Sequence, residues 1–327
     1  MQQISLSQAH ETFSIKPKRT RKQRFLDSMN AVVPWSMIEQ LITPHYSQPS
    51  AKGGRPPARL SVMLRIFFLQ QWFGLSDPAV EEALHDMPTY RHFVGLDAGI
   101  DTMPDETTIL RFRHLLEEHK LQQQIFDLVR HLLQAQGLML QSGTTVDATL
   151  IAAPSSTKNK SGQRDPDMHS SRKGLQWHFG MKAHIGTDTD SGLVHSLVGT
   201  SGHVHDVTQV HKLLHGQEQG ILGDAGYAGA DKRADVHTPA AWFIAMRPGK
   251  HKALNKQDPV EGAIDRFEKA KAKARAKVEH AFGVLKCQFG YRKVRYKGLE
   301  KNTAQLHTLF ALVNLYLARK PLQGLQA

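Results

Sequence analysis

Gly143-Thr-Thr-Val-Asp-Ala-Thr-Leu150 reads as a β-strand with an aspartate in its middle, and the fold follows from it. β-Branched residues suit a pleated, half-buried surface whereas Asp is depleted there, so Asp147 needs a reason to stand where it does. Side chains alternate along a strand, which turns Val146, Ala148 and Leu150 to one face and Thr145, Asp147 and Thr149 to the other. Two further acids stand out. Asp224 ends the apolar run of Gly220-Ile-Leu-Gly-Asp-Ala-Gly-Tyr227, just before Gly226, where the backbone can turn and leave room for an ion. Glu279 lies in Arg275-Ala-Lys-Val-Glu-His-Ala-Phe282, on a segment of helical periodicity. Two strand carboxylates and one helix carboxylate could hold two divalent metals over a phosphodiester. Two of them also have ordinary explanations: Asp-Ala-Gly is a turn sequence, and Arg275 with Glu279 is an i,i+4 surface pair worth about 0.3–0.5 kcal/mol.

Outward from Asp147, strands alternate with helices. Residues 144–151 form the first predicted strand, 152–174 a polar loop rich in Ser and Lys, and 176–185 with 192–200 a hairpin around Thr187-Asp-Thr-Asp-Ser-Gly192. Asp206-Val-Thr-Gln209 predicts a capping box opening a helix over 206–215. Strands follow at 221–225 and 240–246, then a long helix over 261–286. Three strands in a meander, then helix, strand, helix, strand, helix, is the order of a ribonuclease H-like domain of the retroviral integrase type, a mixed sheet flanked by helices, expected over residues 141–320. On the long helix Arg275, Glu279 and Lys286 project within an arc of roughly 40°. Beside them Phe267, Ala274, Val278, Phe282 and Leu285 form an apolar stripe that can dock the helix on the sheet.

The first half of the chain reads as helical. Residues 1–51 are expected to be a basic arm with a short helix, the stretch 16–24 around Lys16-Pro-Lys-Arg-Thr-Arg-Lys22 being a disordered tail that touches phosphates. Gly53-Gly-Arg-Pro-Pro57 signals a loop, and Leu60, Met63, Leu64, Phe67 and Phe68 carry helical spacing. Ser76 with Pro78 opens another helix, 87–94 a short one, and helices follow from Asp105 or Glu106 to His119 and over 122–136. Short helices with tight turns over 52–140 are what a helix-turn-helix DNA-binding region needs, although any small helical bundle shows the same pattern. Residues 321–327 are read as a tail.

Composition narrows the partner. The 327 residues are enough for two domains, and a net charge of +12 favours a polyanion, with RNA, DNA and acidic membranes all open on charge alone. Residues 247–301 hold 16 Lys/Arg against 6 Asp/Glu, so the excess surrounds Glu279. One cysteine, Cys287, leaves no intramolecular disulfide and no Cys pair for structural zinc. The start lacks the apolar core of a signal peptide, and the apolar stretches 60–69 and 306–318 are interrupted by Arg65 and Asn314 and too short for a bilayer. No membrane partner is expected, and a reducing cytoplasm fits. His178, Lys182 and His184 share one predicted strand face and can line a DNA groove. Trp177 and Tyr227 can stack on an unpaired base, with packing the commoner role for each. His203 and His205 suggest zinc only weakly, because the capping box and the turn before it account for Asp206 and His205.

Six short motifs in order carry a family resemblance: Thr145-Val-Asp-Ala-Thr149, Ala153-Pro-Ser-Ser-Thr-Lys-Asn159, Gln176-Trp-His-Phe-Gly-Met-Lys-Ala-His184, Asp224-Ala-Gly-Tyr227, Arg275-x3-Glu279-x6-Lys286 and Arg295-Tyr-Lys-Gly-Leu299. Together they resemble the DDE transposases of the insertion sequence 5 family, over essentially the whole chain. The resemblance implies a ribonuclease H-like catalytic domain whose acids and metal ligands are Asp147, Asp224 and Glu279, with Mg2+ as cofactor and Mn2+ as its substitute. It also implies double-stranded DNA as partner, both the terminal inverted repeats of the element and the target, and a homodimer in the synaptic complex of a bacterial, nucleoid-associated protein. Arg275, Lys286, Lys182, His184, Arg55, Arg292, Lys293 and Arg295 are the expected DNA contacts. One position departs: where related signatures often carry Tyr three residues before the Arg, this chain has Ala272. The other reading is a repurposed, catalytically silent transposase that binds DNA sequence-specifically.

Overall fold

A computed structural model describes residues 19–47, 56–140 and 142–326. The chain divides into two compact units, Met1–Leu128 with Arg319–Ala327, and Val129–Ala318. The division therefore falls inside a helix, before residue 140, and the last residues are not a separate tail.

The first unit is helical. Helix α1 (Arg21–Val32) begins at Thr20, whose hydroxyl accepts from Gln23 N at 3.1 Å, so residues 20–24 are the capped start of a helix and not part of a loose tail; residues 16–18 lie outside the described residues. Its Leu26, Met29 and Val32 are buried, as are Ile38 and Ile42 of α2 (Trp35–Ile42). Helix α3 (Leu60–Phe73) is buried nearly all round, from Val62 to Trp72, and ends at Gly74 in the left-handed conformation, φ 71°. Arg65 within it keeps its charge at the rim, donating to Asn30 Oδ1 at 2.6 Å and covering the Trp35 ring. Helices α4 (Asp77–Asp86), capped by Ser76, α5 (Pro88–Val94), α6 (Glu106–Glu118), capped by Asp105, and α7 (Leu121–Ala135) follow the spacing expected of them.

The second unit is built on a mixed sheet. Its strands are β1 (Gly143–Ala152), β2 (His169–Lys173), β3 (Gln176–Asp188), β4 (Val194–Ser201), β5 (Gly220–Gly223) and β6 (Ala241–Ile244). β1 runs antiparallel to β3 and parallel to β5, which is parallel to β6. The far edge of β3 is shared end to end: β4 pairs with Met181–Thr187, and β2 with Gln176–Gly180. This mixed sheet with its flanking helices is consistent with the ribonuclease H-like fold of a DDE transposase. β2 is a departure from the polar loop expected over 152–174; its Ser and Lys content hid a strand that needs only one partner. Gly180 stands where β1 ends, and a Cβ there would meet Ile151 O at 2.0 Å, so only glycine lets the strands close at this point.

After β4, residues Asp206–Lys212 form a 3-10 turn with no side-chain cap, not the capped α-helix expected over 206–215. The reason is that the Asp206 carboxylate is engaged elsewhere, accepting from Lys182 Nζ at 2.8 Å. Helix α8 (Pro248–Lys252) precedes the long α9 (Pro259–Gly283), which continues as a π-helical turn over Val284–Gln288. Val278, Ala281, Phe282 and Leu285 bury the apolar stripe, while Phe267 is 52% exposed and stays outside it. Charged groups fasten the rest of α9: Lys271 donates to Ile244 O at 2.8 Å and pairs with Glu268, which accepts from Met246 N at 2.9 Å. Helix α10 (Leu299–Gln326) supplies buried Leu306, Leu309, Phe310 and Val313, and its Asn314 bonds both the N–H and the C=O of Val194 on β4 at 2.8 and 2.7 Å. The polar break in that apolar stretch is thus a strand-edge anchor. Among the described residues, no helix is long and apolar enough to cross a membrane.

Candidate active site

Register brings the first two acids together. β1 and β5 pair Gly143 with Gly220, Thr144 with Ile221 and Thr145 with Leu222; Asp224 follows the end of β5 at Gly223, near enough for its charge to act on Asp147. Neighbouring strands lie about 4.8 Å apart, so the two carboxylates share one end of the sheet. Each is held by the backbone. Asp147 Oδ1 accepts from Ala148 N at 2.7 Å, and Asp224 Oδ1 accepts from Gly226 N at 2.8 Å as the cap of the short turn Ala225–Tyr227. A Cβ on Gly226 would stand 2.9 Å from that same oxygen, which is why the position after Ala225 is glycine.

Burial pushes the Asp147 carboxyl up to about 6, and the negative charges of Asp224 and Asp206 push the same way; the Ala148 N–H and the Arg275 guanidinium oppose them. A group so placed gains strongly from a cation between it and its neighbours. Asp206 is the acid that sequence reasoning assigned elsewhere. Its carboxylate takes the Lys182 ammonium and lies 3.7 Å from His184 Nδ1, so it enters the field of Asp147 as half of an ion pair.

Two polar groups at the acids lack partners. The Tyr227 ring packs with Val146, Val210 and Leu213 at 1% exposure, and its buried hydroxyl makes no hydrogen bond. Burial first, then Asp206, Asp147 and Asp224, hold that phenol well above its ordinary range, with Arg275 opposing. Tyr227 is therefore a core side chain with its polar end toward the acids, rather than a stacking platform. Arg275 Nε is likewise buried without a hydrogen bond. Buried donors left open beside a carboxylate pair are what an oxyanion or hydrated cation would satisfy.

Glu279 is exposed on α9, one turn after Arg275. Among the described residues no three of His, Cys, Asp and Glu are gathered closely enough to hold a metal. The structure thus brings Asp147 and Asp224 together, with Asp206 and Arg275 beside them, and leaves Glu279 on the helix face.

The expected DNA contacts divide. His184 is fully buried and bonds Thr200 Oγ1 at 2.7 Å, so it is no phosphate ligand; β3 is central and covered on both faces there, and burial lowers its ring to about 4. Lys182 spends its ammonium on Asp206 and on Val204 O at 2.8 Å. Lys286 donates to Thr149 Oγ1 at 2.6 Å and Leu150 O at 2.8 Å, because the π turn carries it off the Arg275–Glu279 edge and onto β1. Arg292, Lys293 and Arg295 are exposed, in a segment that bridges to the end of β1 through Ala152 and Lys293. Arg55 lies outside the described residues.

Residues 139–315 match the family described as Transposase DDE domain, and residues 13–115 match a second family, Transposase domain (DUF772). The first match spans the sheet, both strand acids, α9 and most of α10. The chain belongs to the DDE transposases.

Proposed function

We propose that this protein is an insertion-sequence transposase of the insertion sequence 5 kind, which binds the terminal inverted repeats of its element and catalyses cleavage and transfer of DNA strands. The observation that carries this reading is the closeness of Asp224, at the end of β5, to Asp147 on the neighbouring β1, with Asp147 raised to about 6 by burial and by its acidic neighbours. Their hard oxygens fit Mg2+, with Mn2+ as its substitute, and Glu279 is the third ligand, brought in as the acids are neutralised. A divalent cation bound there supplies Lewis acidity and a water of lowered pKa, which in-line displacement at phosphorus needs.

The chain's own residues do the rest. Arg275, beside Asp147 with an open Nε, holds a non-bridging phosphate oxygen. The Tyr227 hydroxyl donates into the same space. Arg292, Lys293 and Arg295 meet the backbone of the duplex beyond the end of β1. The helices of the first unit read the repeat in helix-turn-helix fashion. Two ends are processed together, so the working form is a homodimer on DNA, at the bacterial nucleoid. The exposed Glu279, outside the acid pair, favours a second reading, a repurposed DNA-binding protein without catalysis.

The test is nicking of a duplex taken from the DNA that flanks the coding sequence, in Mg2+ and in Mn2+. Wild type should nick, and Asp147→Asn, Asp224→Asn and Glu279→Gln should each bind the duplex without nicking. Binding without nicking by wild type would establish the second reading instead.

A further inference from the structure

The second unit carries an arm that the acids do not explain. Beyond Gly180, β2 and β3 run on past the end of β1 as a two-stranded ribbon, closed by the two-residue turn Gly174-Leu175 with Gly174 at φ 62°. Leu175 and Trp177 at its end are 89% and 69% exposed. Trp177 shares one face of β3 with Phe179, and the Arg164 guanidinium lies over the Phe179 ring at 5.3 Å. An apolar ribbon end in water is unfavourable unless something covers it.

Charge identifies the cover. Residues 153–180 contain five Lys/Arg (Lys158, Lys160, Arg164, Arg172 and Lys173) and two acids, Asp165 and Asp167. Both acids are already engaged at the start of α10, accepting from Gly298 N at 2.7 Å and Leu299 N at 3.0 Å. By composition the arm keeps a net charge of +3. A two-stranded ribbon of this width enters a groove of a duplex, and an aromatic at its end can take up an unstacked base.

Length gives the position. Asp147 pairs with Ile185, and Trp177 lies eight residues from it along β3, about 26 Å at roughly 3.3 Å per residue, with Leu175 in the turn just beyond. One turn of B-form DNA is about 34 Å. We propose that the β2–β3 ribbon enters a groove of the same duplex just under one helical turn from the scissile phosphate, and that Trp177, with Leu175, wedges against a base step there. The position of that step relative to the cut rests on the transposase reading; binding of the ribbon to duplex DNA does not.

The test uses the full chain and a duplex of about 40 base pairs from the DNA flanking the coding sequence, with 2-aminopurine at successive positions. Wild type should raise the fluorescence at positions about eight to ten base pairs from the cut and nowhere else, and Trp177→Ala should abolish the rise. Trp177→Ala and Leu175→Ser should weaken binding about tenfold on the long duplex and leave it unchanged on one cut short of that position. Because both side chains are exposed, unfolding is no explanation for a loss. Equal affinity of variants and wild type for the long duplex would overturn the proposal, and so would a change confined to oligomeric state, which would make the tip a protein contact. Nicking is scored separately, so failure of wild type to nick overturns the proposed activity while the binding comparison still decides the ribbon.

Discussion

Asp224 follows directly on β5, the strand parallel to the one that carries Asp147, and its charge adds to burial in raising the Asp147 carboxyl. Two like charges held side by side at a half-buried strand end destabilise the chain that carries them. Replacing either by Asn should therefore leave the metal-free protein as stable as wild type or more so, by up to about 2 kcal/mol, while strand cleavage is lost. Urea denaturation of Asp147→Asn beside a nicking assay checks both. A clear loss of stability would mean that the carboxylate is a structural partner.

Tyr227→Phe removes a buried hydroxyl that has no partner, and with it a desolvation penalty of about 1–3 kcal/mol. The variant should match or exceed wild type in thermal stability. Cleavage should slow by about tenfold or more at saturating DNA, with little change in affinity, because the hydroxyl acts on the reacting phosphate and not on the duplex at large. A variant with full turnover would place the hydroxyl outside the reaction.

Lys286 is fastened to the strand that carries Asp147, through Thr149 Oγ1 and Leu150 O. Lys286→Met keeps the aliphatic stem and removes the ammonium, so about 1–3 kcal/mol of stability should go. The salt dependence of DNA binding should stay near that of wild type, since this ammonium is occupied on β1. A markedly shallower salt slope would return Lys286 to the phosphate contacts.

His195 gives the fold an acid limit. Its Nε2 lies 3.1 Å from Thr144 Oγ1, which donates to Glu218, and burial, then the charges of His215 and Arg130, depress the ring to about 3. A folded pKa below the unfolded value of about 6.5 means that the unfolded chain takes up the proton first. Stability is then complete above about pH 6.5 and lost as the pH falls toward 3, about 2 kcal/mol of it by pH 5. Asp147 at about 6 and His184 at about 4 also shift stability in this range, so the part of the urea-midpoint change between pH 7 and pH 5 that His195→Gln removes is the reading. A change that His195→Gln leaves intact would show that His195 is protonated in the fold.

What the sequence reveals depends on whether a residue's partner is near it along the chain. Asp147 and Asp224 can be found because an acid in a β-prone run and an acid before Gly are locally out of place, and strand alternation says which way they face. The helices of the first unit are equally legible, through Ser76 and Asp105. Asp206 is hidden because Asp-Val-Thr-Gln fits a capping box, and only the fold brings Lys182 to it across 24 residues. His184 looks outward by alternation, yet a central strand has no outward face. The π turn at Val284–Gln288 leaves no mark in the spacing, so Lys286 is read onto the edge with Glu279 when it turns to β1. β2 escapes because a short ribbon strand paired on one side needs no apolar pattern.

A reactive ion placed among Asp147, Asp224 and Glu279 reads whether the three acids hold one metal centre. Fe2+ bound in place of Mg2+, with ascorbate and peroxide, cuts the polypeptide backbone beside the ion. Cuts are expected near residues 147, 224 and 279 in the DNA-bound protein, all suppressed by excess Mg2+ and all lost together in Asp147→Asn. Cuts at 147 and 224 without 279, or cuts that survive Asp147→Asn, would contradict a single centre.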